Sequence, residues 1–195
     1  MTDQQAIQQV LDFIVEIEKL KAVLRKTRPV GLERYENAAE HSWQVCLAAL
    51  MLREYANEPV DIDQVIKMLL IHDLGEIDAG DRIVYAEQNE AHIKEEAEGI
   101  RRVLGLLPGD MAKKTLALWE EYEAGESAES RYARAIDRIP PLLHNLHGDG
   151  HSWKENDIAK EKVFSLNARI AEGSHDLWEE MKGRLEIAVS QGLLK

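Results

Sequence analysis

The sequence predicts an all-α fold, and two observations carry that prediction. Apolar residues recur three and four positions apart over most of the chain, and no segment shows the strict alternation of a half-buried strand. The 195 residues are 45% hydrophobic, which is enough to build a sizeable core. No linker rich in Pro, Gly and Ser and no internal repeat divides the chain. We therefore expect residues 1–195 to form one domain.

The N-terminal half should contain three helices separated by polar breakers. Helix starts are marked by side chains that accept a hydrogen bond from the first turn, and helix stops by Pro and Gly. The predicted elements are a helix from about Asp3 to about Leu24 with a Thr2–Gln5 capping box, a loop at 25–37, a helix from near Ala39 to the Asn57-Glu58-Pro59 stop, and a helix capped by Asp61 that reaches His72 and Asp73.

The C-terminal half should continue the helical pattern. Between the third helix and the next, Gly75 and Gly80 loosen the chain. The predicted elements after that loop are a helix from about Gln88 to Leu104, a helix ended by Gly125, a helix begun by Ser127 with a break or kink at Pro140-Pro141, a long turn around Gly148, Gly150 and Trp153, and two helices at about Asp157–Ala171 and Ser174–Gln191.

Charge and cysteine content restrict the possible partners and compartment. Lys and Arg number 24 and Asp and Glu number 36, which gives a net charge of −12. Such a surface repels a nucleic acid polymer, although a pocket with a metal and a few basic residues can still hold a small phosphorylated molecule. The single Cys46 excludes an internal disulfide and fits a reducing compartment. With no signal segment and no apolar run long enough to cross a membrane, we expect a cytoplasmic protein that does not bind membranes.

Four side chains on apolar helices indicate a metal site. The apolar run 66–71 ends in His72-Asp73, while His41 and Asp137 lie in two further apolar helical patterns. An unpaired imidazole or carboxylate is costly in such positions, and helix bundles assemble metal sites from inward-facing side chains. Two imidazoles and two carboxylates suit one divalent ion, Mn, Co, Fe, Ni, Zn or Mg, and leave positions open for water, as catalytic sites do.

The order of these residues resembles the H…HD…D pattern of the HD superfamily of metal-dependent phosphohydrolases. Further blocks resemble its 5′-deoxynucleotidase branch. They are Leu20-Lys21 with Arg25, then Glu36-Asn37-Ala38-Ala39-Glu40-His41-Ser42, His72-Asp73-Leu74-Gly75-Glu76 and Gly80-Asp81. The resemblance implies an HD-domain helical bundle with a single divalent metal site between helices, a core at about 18–150, C-terminal helices packed on it, and a homodimer.

The resemblance also implies a role for each matching residue. His41, His72, Asp73 and Asp137 would bind the metal, Glu76 and Asp81 would serve catalysis, and Arg25 would bind phosphate. The implied activity is a metal-dependent 5′-nucleotidase that hydrolyses (deoxy)nucleoside 5′-monophosphates. The alternatives within and beyond the family are a phosphodiesterase or triphosphohydrolase, and a regulatory module that binds a nucleotide without turning it over.

Two positions refine that expectation. The characterised deoxynucleotidases carry a tryptophan directly after the phosphate-binding arginine, where this chain has Lys26, so selectivity for deoxyribose should be weak. Enzymes of the superfamily that hydrolyse guanosine tetraphosphate resemble HDxxED, and Ile77 stands at the position of that Asp. This second comparison disfavours the tetraphosphate reaction.

Each single residue also has a structural interpretation. His41 could be a surface histidine, Asp137 could pair with neighbouring arginines, Glu76 and Asp81 could be loop carboxylates, and Arg25 could cover a helix end. A further group, His144, His147 and His151, suggests a second metal or phosphate contact, but a polar loop beside the pocket is the favoured interpretation because the family site does not need these histidines.

Overall fold

The computed structural model describes residues 3–86 and 89–195, and the fold is all-α as predicted. Extended pairing among the described residues is limited to one isolated bridge between Leu24 and Asn37. The α-helices are α1 (Asp3–Ile17), α2 (Ala38–Leu52), α3 (Ile62–Ile71), α4 (Glu76–Ala79), α5 (Glu90–Leu104), α6 (Gly109–Ala124), α7 (Ala128–Asp137), α8 (Ile139–His147), α9 (His151–Glu155), α10 (Lys160–Asn167), α11 (Ile170–Gly173) and α12 (His175–Ser190), with 3₁₀ turns at Glu18–Ala22 and Arg53–Tyr55.

Side-chain caps begin the helices near the positions that the sequence indicated. Asp61 accepts hydrogen bonds from the backbone N–H groups of Asp63 and Gln64 and starts α3. Ser127 and Ser174 cap α7 and α12 in the same way. The predicted Thr2 cap of α1 lies outside the described residues, as does Gln88 at the expected start of α5.

The structure corrects the predicted first helix. Its α-helical part ends at Ile17 and continues as the tighter 3₁₀ turn, and Val23 is already extended with ψ 112°. The extended segment then pairs with the chain entering α2: the N–H of Arg25 donates to the carbonyl of Glu36 at 2.8 Å, and the N–H of Glu36 donates to that of Thr27 at 2.9 Å. These pairings outweigh the helical periodicity of the sequence between 18 and 24.

Three C-terminal predictions also need correction. The residues expected to form a loop after Gly75 include the short helix α4, and the turn expected around Trp153 contains α9. The helix expected at about 157–171 is divided into α10 and α11, and it begins later because Asp157 adopts a left-handed φ of 51°. No described helix is long and apolar enough to cross a membrane.

Three hydrophobic clusters surround the region where the predicted site residues lie. The first joins α2, α3 and α7, the second joins the 3₁₀ turn after α1 with α5 and α6, and the third joins α8 to α12. Representative buried members are Val45, Met68 and Ile136 in the first, Leu20, Ile100 and Trp119 in the second, and Leu142, Trp153 and Leu185 in the third. The clusters hold the ends of α2, α3 and α7 in fixed positions.

Candidate metal and phosphate site

Three helices bring the predicted metal ligands together. His41 lies in the first turn of α2, whose capping box of Asn37 and Glu40 fixes where the helix begins. His72 and Asp73 follow the last residue of α3, and Asp137 is the last residue of α7. Helices α2, α3 and α7 pack on one another through the first hydrophobic cluster, so residues 96 positions apart in sequence become neighbours.

The distances between the ligand atoms fit a shared cation. His41 Nε2 lies 2.8 Å from Asp137 Oδ1, and His72 Nε2 lies 3.1 Å from Asp73 Oδ1 and 3.4 Å from Asp137 Oδ1. Two ligands that each lie about 2.1 Å from an octahedral ion are about 3.0 Å apart when adjacent. His41, His72 and Asp73 each offer one ligand atom within 4.8 Å of the others, and all three residues are buried.

The tautomer of His72 strengthens that fit. Its Nδ1 lies 2.8 Å from the carbonyl oxygen of Leu69, and since a carbonyl can only accept, Nδ1 carries the hydrogen. In the neutral ring the Nε2 lone pair then faces two carboxylate oxygens, a repulsive arrangement unless a cation lies between them. Burial opposes a charge on the ring, but Asp73 and Asp137 raise the pKa of His72 to about 9.

Asp137 completes this group of side chains. Desolvation opposes its charge, but the hydrogen bonds with His41 and His72 outweigh that cost and hold the pKa of Asp137 well below its ordinary value. The carboxylate is therefore ionised at neutral pH, as a metal ligand must be. We call His41, His72, Asp73 and Asp137 the metal wall.

Arg25 lies against the metal wall. Its Nη1 donates to Asp73 Oδ2 at 2.9 Å and lies 3.8 Å from Asp81 Oδ1. Burial alone would lower the pKa of Arg25, but the neighbouring carboxylates Asp73 and Asp81 raise it above its ordinary value. A fixed, fully charged guanidinium at this position can form charge-assisted hydrogen bonds to phosphate oxygens.

Glu76 and Asp81 each present an unpaired oxygen to the same region. Glu76 Oε2 and Asp81 Oδ2 are buried and have no hydrogen-bond partner among the described residues. Burial is the main cause that raises the pKa of both carboxyls, and Asp73 adds to it. Gly80, with φ 75°, ends α4 in a backbone conformation that favours glycine and directs the chain to Asp81.

Glu76 belongs to a group of three carboxylates that we call the acidic wall: Glu76, Glu96 and Glu123, from α4, α5 and α6. Burial, followed by the charge of Glu123, raises the pKa of Glu96 to about 7. Helices α4 and α5 meet closely, since a Cβ on Gly99 would lie 2.6 Å from the carbonyl oxygen of Gly75. This close approach brings the acidic side chains of α4 and α5 to one side of the site.

Asp73 and Asp137 of the metal wall and the three carboxylates of the acidic wall line one cavity of about 410 Å³, a size that suits a small molecule. Its described lining includes six carboxylates and four basic side chains, so an additional cation would balance the charge. The basic members are Arg25, Lys26, Arg82 and Arg138, and the apolar members include Ile83, Val84, Tyr85, Ile93, Trp119 and Leu142. Of the seven predicted site residues, five line this cavity: Arg25, Asp73, Glu76, Asp81 and Asp137. The other two, His41 and His72, lie 2.8 Å and 3.4 Å from Asp137 Oδ1.

Some polar residues of the site had no role in the sequence interpretation. Glu36 is 1% exposed, and its Oε2 lies 3.3 Å from Arg25 Nε and 3.6 Å from His41 Nδ1. Glu96 and Glu123 belong to α5 and α6, which carry several further glutamates. The only sequence signal for Glu36 was its place at the start of the block that ends in His41, and periodicity gives no signal for the other two.

The three further histidines lie on the other side of Thr27. His144, His147 and His151 line a second cavity of about 660 Å³ that shares Thr27, Asn145 and Ser152 with the first. Among the described residues, the group with metal-ligand spacing is His41, His72 and Asp73, and it includes none of these three. Burial, followed by the charges of His41 and Arg25, lowers the pKa of His144 to about 4, so this ring is neutral at pH 7.

An all-α fold with histidines and carboxylates converging between helices defines a class of metal-binding helical proteins. A family model described as "HD domain" matches residues 17–178, and the chain belongs to the HD domain family. The family predicted from the order of His41, His72-Asp73 and Asp137 is therefore confirmed.

Individual relatives agree with this assignment. The chain is 29% identical to 5′-deoxynucleotidase HDDC2 of Homo sapiens over 138 residues, which cover 69% of this chain and 65% of the human protein. It is 29% identical to the protein of that name from Dictyostelium discoideum over 185 residues, covering 90% of this chain and 96% of the relative.

Solved structures give the same fold. A crystal structure of a "predicted metal-dependent phosphohydrolase" from Magnetospirillum magnetotacticum is 43% identical, superposes with a TM-score of 0.92, and covers 97% of this chain and 98% of that one. A conserved hypothetical protein from Pyrococcus furiosus shares the fold with a TM-score of 0.57 at 23% identity, covering 88% of this chain and 98% of its own.

Proposed function

We propose that this protein is a metal-dependent 5′-nucleotidase that hydrolyses (deoxy)nucleoside 5′-monophosphates to nucleoside and phosphate. One observation carries the proposal: Arg25 contacts Asp73 at 2.9 Å, so a phosphate-binding cation and a candidate metal ligand touch within one cavity. The names of the relatives support the same activity.

The metal wall would hold one divalent ion through His41, His72, Asp73 and Asp137. A bound ion of this kind supplies Lewis-acid polarisation of a phosphoryl oxygen and makes its water more acidic. The nitrogen and oxygen donors favour Mn, Co, Fe, Ni or Zn and permit Mg, and no thiolate takes part. The raised pKa of His72 gives a reason for the ion: a cation replaces a proton that the ring otherwise needs.

The remaining side chains would bind the phosphate and move protons. Arg25 donates to the phosphate oxygens and fixes the phosphorus beside the metal wall. One of the two unpaired carboxyls, Glu76 or Asp81, accepts a proton from the attacking water, and the other gives a proton to the 5′ oxygen as the P–O bond breaks. Burial raises the pKa of both carboxyls, which favours the protonated form that a proton donor needs.

The proposal treats residues 1–195 as one catalytic domain with a core at about 18–150, on which the C-terminal helices pack. Support comes from the third hydrophobic cluster, where Trp178 and Leu185 of α12 lie with Leu142 of α8. The location proposed is the cytoplasm, in agreement with a single, buried Cys46 whose thiol pKa is raised to about 11 by burial.

A homodimer forms part of the proposal, and an exposed apolar face of α2 supports it. Trp43, Leu47, Leu50 and Met51 share this face at helical spacing, and Trp43 and Met51 are 66% and 69% exposed. The Trp43→Glu variant should sediment as a monomer if this face joins two copies. The Met111→Lys variant, which changes an exposed apolar side chain of α6, should sediment like the parent.

Phosphate release from a substrate panel across several metals tests the activity. The panel contains nucleoside mono-, di- and triphosphates and cyclic nucleotides, each with Mn²⁺, Co²⁺, Zn²⁺ or Mg²⁺. Turnover of monophosphates is the expected result. Faster turnover of a cyclic nucleotide or triphosphate would move the protein to another reaction of the superfamily, and tight nucleotide binding without release would make it a regulatory module.

A further inference from the structure

The Glu36 carboxylate contacts both parts of the candidate site. Its Oε2 lies 3.3 Å from Arg25 Nε, 3.6 Å from His41 Nδ1 and 3.3 Å from the Thr27 hydroxyl, which donates a hydrogen bond to it. His144 Nδ1 is 3.9 Å away on the side of the second cavity. One oxygen atom thus has four polar neighbours, in a side chain that is 1% exposed.

Backbone pairing fixes Glu36 in this position. The reciprocal hydrogen bonds that link Glu36 with Arg25 and Thr27 hold its segment beside the segment that carries the arginine. Asn37 then caps α2, so Glu36 lies directly before the helix whose first turn carries His41. The Glu36 carboxylate therefore lies near Arg25, on the paired segment, and near His41, in the first turn of α2.

A buried carboxylate in this position destabilises the fold unless its charge serves the site. Burial without full pairing penalises its charge, and an amide could satisfy the Thr27 hydroxyl as well. His41 Nδ1 and Arg25 Nε are both buried and have no hydrogen-bond partner within the described part of the chain, and Glu36 Oε2 lies within 4 Å of each. When His41 Nε2 ligates a metal, its Nδ1 carries the hydrogen and needs an acceptor on this side of the ring.

We propose that Glu36 is a positioning residue that orients His41 for the metal and Arg25 for the phosphate through one carboxylate oxygen. The inference rests on the proposed function, because it requires a metal at His41 and a phosphate at Arg25. A carboxylate behind a metal-bound imidazole fixes the orientation of the ring and makes it a better ligand. The same oxygen restrains the guanidinium at Nε, while Asp73 and Asp81 lie near its Nη1.

The test compares Glu36→Gln with the matched control Glu40→Gln. Both variants change an acid to its amide in the same segment, but Glu40 caps α2 and pairs with Arg34 away from the cavity, and Gln can serve in a capping box. Mn²⁺ affinity is measured by titration of the metal-free proteins, and inorganic phosphate affinity by titration of the Mn²⁺-loaded proteins. Kinetics on dAMP then give kcat and KM separately.

Glu36→Gln should bind Mn²⁺ about 10–100-fold more weakly than the parent, as expected for loss of an outer carboxylate. It should also bind phosphate more weakly and raise KM at saturating Mn²⁺, while Glu40→Gln matches the parent. A folded Glu36→Gln protein with parental affinities for Mn²⁺ and phosphate would overturn the inference. A purely structural role would lower thermal stability and leave both affinities unchanged.

A second variant keeps the test decisive if Glu36→Gln does not fold. Glu36→Asp retains the charge but withdraws the carboxylate by one methylene, so both affinities should fall by a smaller factor. Parental affinities in Glu36→Asp would also overturn the inference. Failure of the parent to bind Mn²⁺ would instead refute the proposed function, so the two failures are distinguishable.

Discussion

The metal wall and the acidic wall face the same cavity, yet their charges are compensated differently. On the metal wall, Asp137 is held ionised by His41 and His72, and the raised pKa of His72 reflects two carboxylates at short distance. On the acidic wall, Glu76 Oε2 has no hydrogen-bond partner among residues 3–86 and 89–195, and burial is the main cause that raises the pKa of each of the three carboxyls. The short contacts of the metal wall favour a bound cation, whereas burial on the acidic wall favours protonated carboxyls.

The largest effect is expected on the metal wall. His72→Ala removes a proposed ligand whose orientation is fixed by the Leu69 carbonyl, and the protein should lose its divalent ion and its activity together. Elemental analysis of the purified protein gives the metal content, with about one ion per chain expected in the parent. His147→Ala, which changes a histidine lining the second cavity, should keep the ion. Equal metal content in parent and His72→Ala would remove His72 from the site.

On the acidic wall, Glu76→Gln should separate catalysis from metal binding. The amide keeps the size of the side chain but cannot exchange a proton at neutral pH, so kcat should fall about 10²–10⁴-fold. The metal content should stay at the parental level. Steady-state kinetics with dAMP measure this, and a variant as fast as the parent would exclude Glu76 from proton transfer.

Glu96→Gln tests the acidic wall through the pH dependence of stability. The pKa of Glu96 is about 7 in the folded protein and about 4.3 in an unfolded chain, so the folded state binds the proton more tightly. The stability that this proton provides is complete below about pH 4 and is lost as pH rises through 7. The amide variant does not ionise and therefore avoids that loss.

As pH rises from 5 to 8.5, the free energy of unfolding of the metal-free Glu96→Gln protein should increase by about 1–2 kcal/mol relative to that of the parent. This value is reduced for the partial exposure of Glu96. Urea unfolding at both pH values provides the measurement. Glu95→Gln, an exposed neighbour on α5, should show the same pH dependence as the parent. A gain that does not change with pH would refute the assigned pKa.

The smallest effect concerns the opening of the cavity, which belongs to neither wall. Lys26 is exposed and lines the cavity next to Arg25, and we expect its side chain to form no steric barrier against a ribose 2′-hydroxyl. Selectivity for dAMP over AMP should be modest, because a pocket without such a barrier rejects one added hydroxyl weakly. Lys26→Trp should shift kcat/KM towards dAMP, and strict selectivity already in the parent would assign the barrier to another residue.

The contrast between the two walls also explains what the sequence could predict. The metal wall comes from the ends of three helices that have strong periodicity and clear caps such as Asp61 and Ser127. The sequence therefore predicted both the helices and the order of the candidate ligands. The 3₁₀ turn at 18–22 and the late start of α10 at Lys160 were not predicted, because long-range pairing beside the turn and the left-handed backbone of Asp157 override the local periodicity.

Which residues of the site contact one another was harder to predict than which residues belong to it. That Arg25 meets Asp73, and that Glu36 lies between Arg25 and His41, depends on the pairing of two irregular segments, which carries no periodic signal. Glu96 and Glu123 face the cavity from helices whose exposed sides are also rich in Glu. Glu96 reaches the cavity because α4 and α5 approach closely at Gly75 and Gly99, a contact between elements that local sequence does not encode.

Chelation and restoration of metal tests the central claim most directly. Phosphate release from dAMP is measured on the protein as purified, after removal of divalent ions with a chelator, and during titration with Mn²⁺. Activity should vanish on chelation and return in proportion to bound Mn²⁺, reaching its plateau at about one ion per chain, while His72→Ala stays inactive throughout. Full activity in protein shown by elemental analysis to be free of divalent metal would contradict the account.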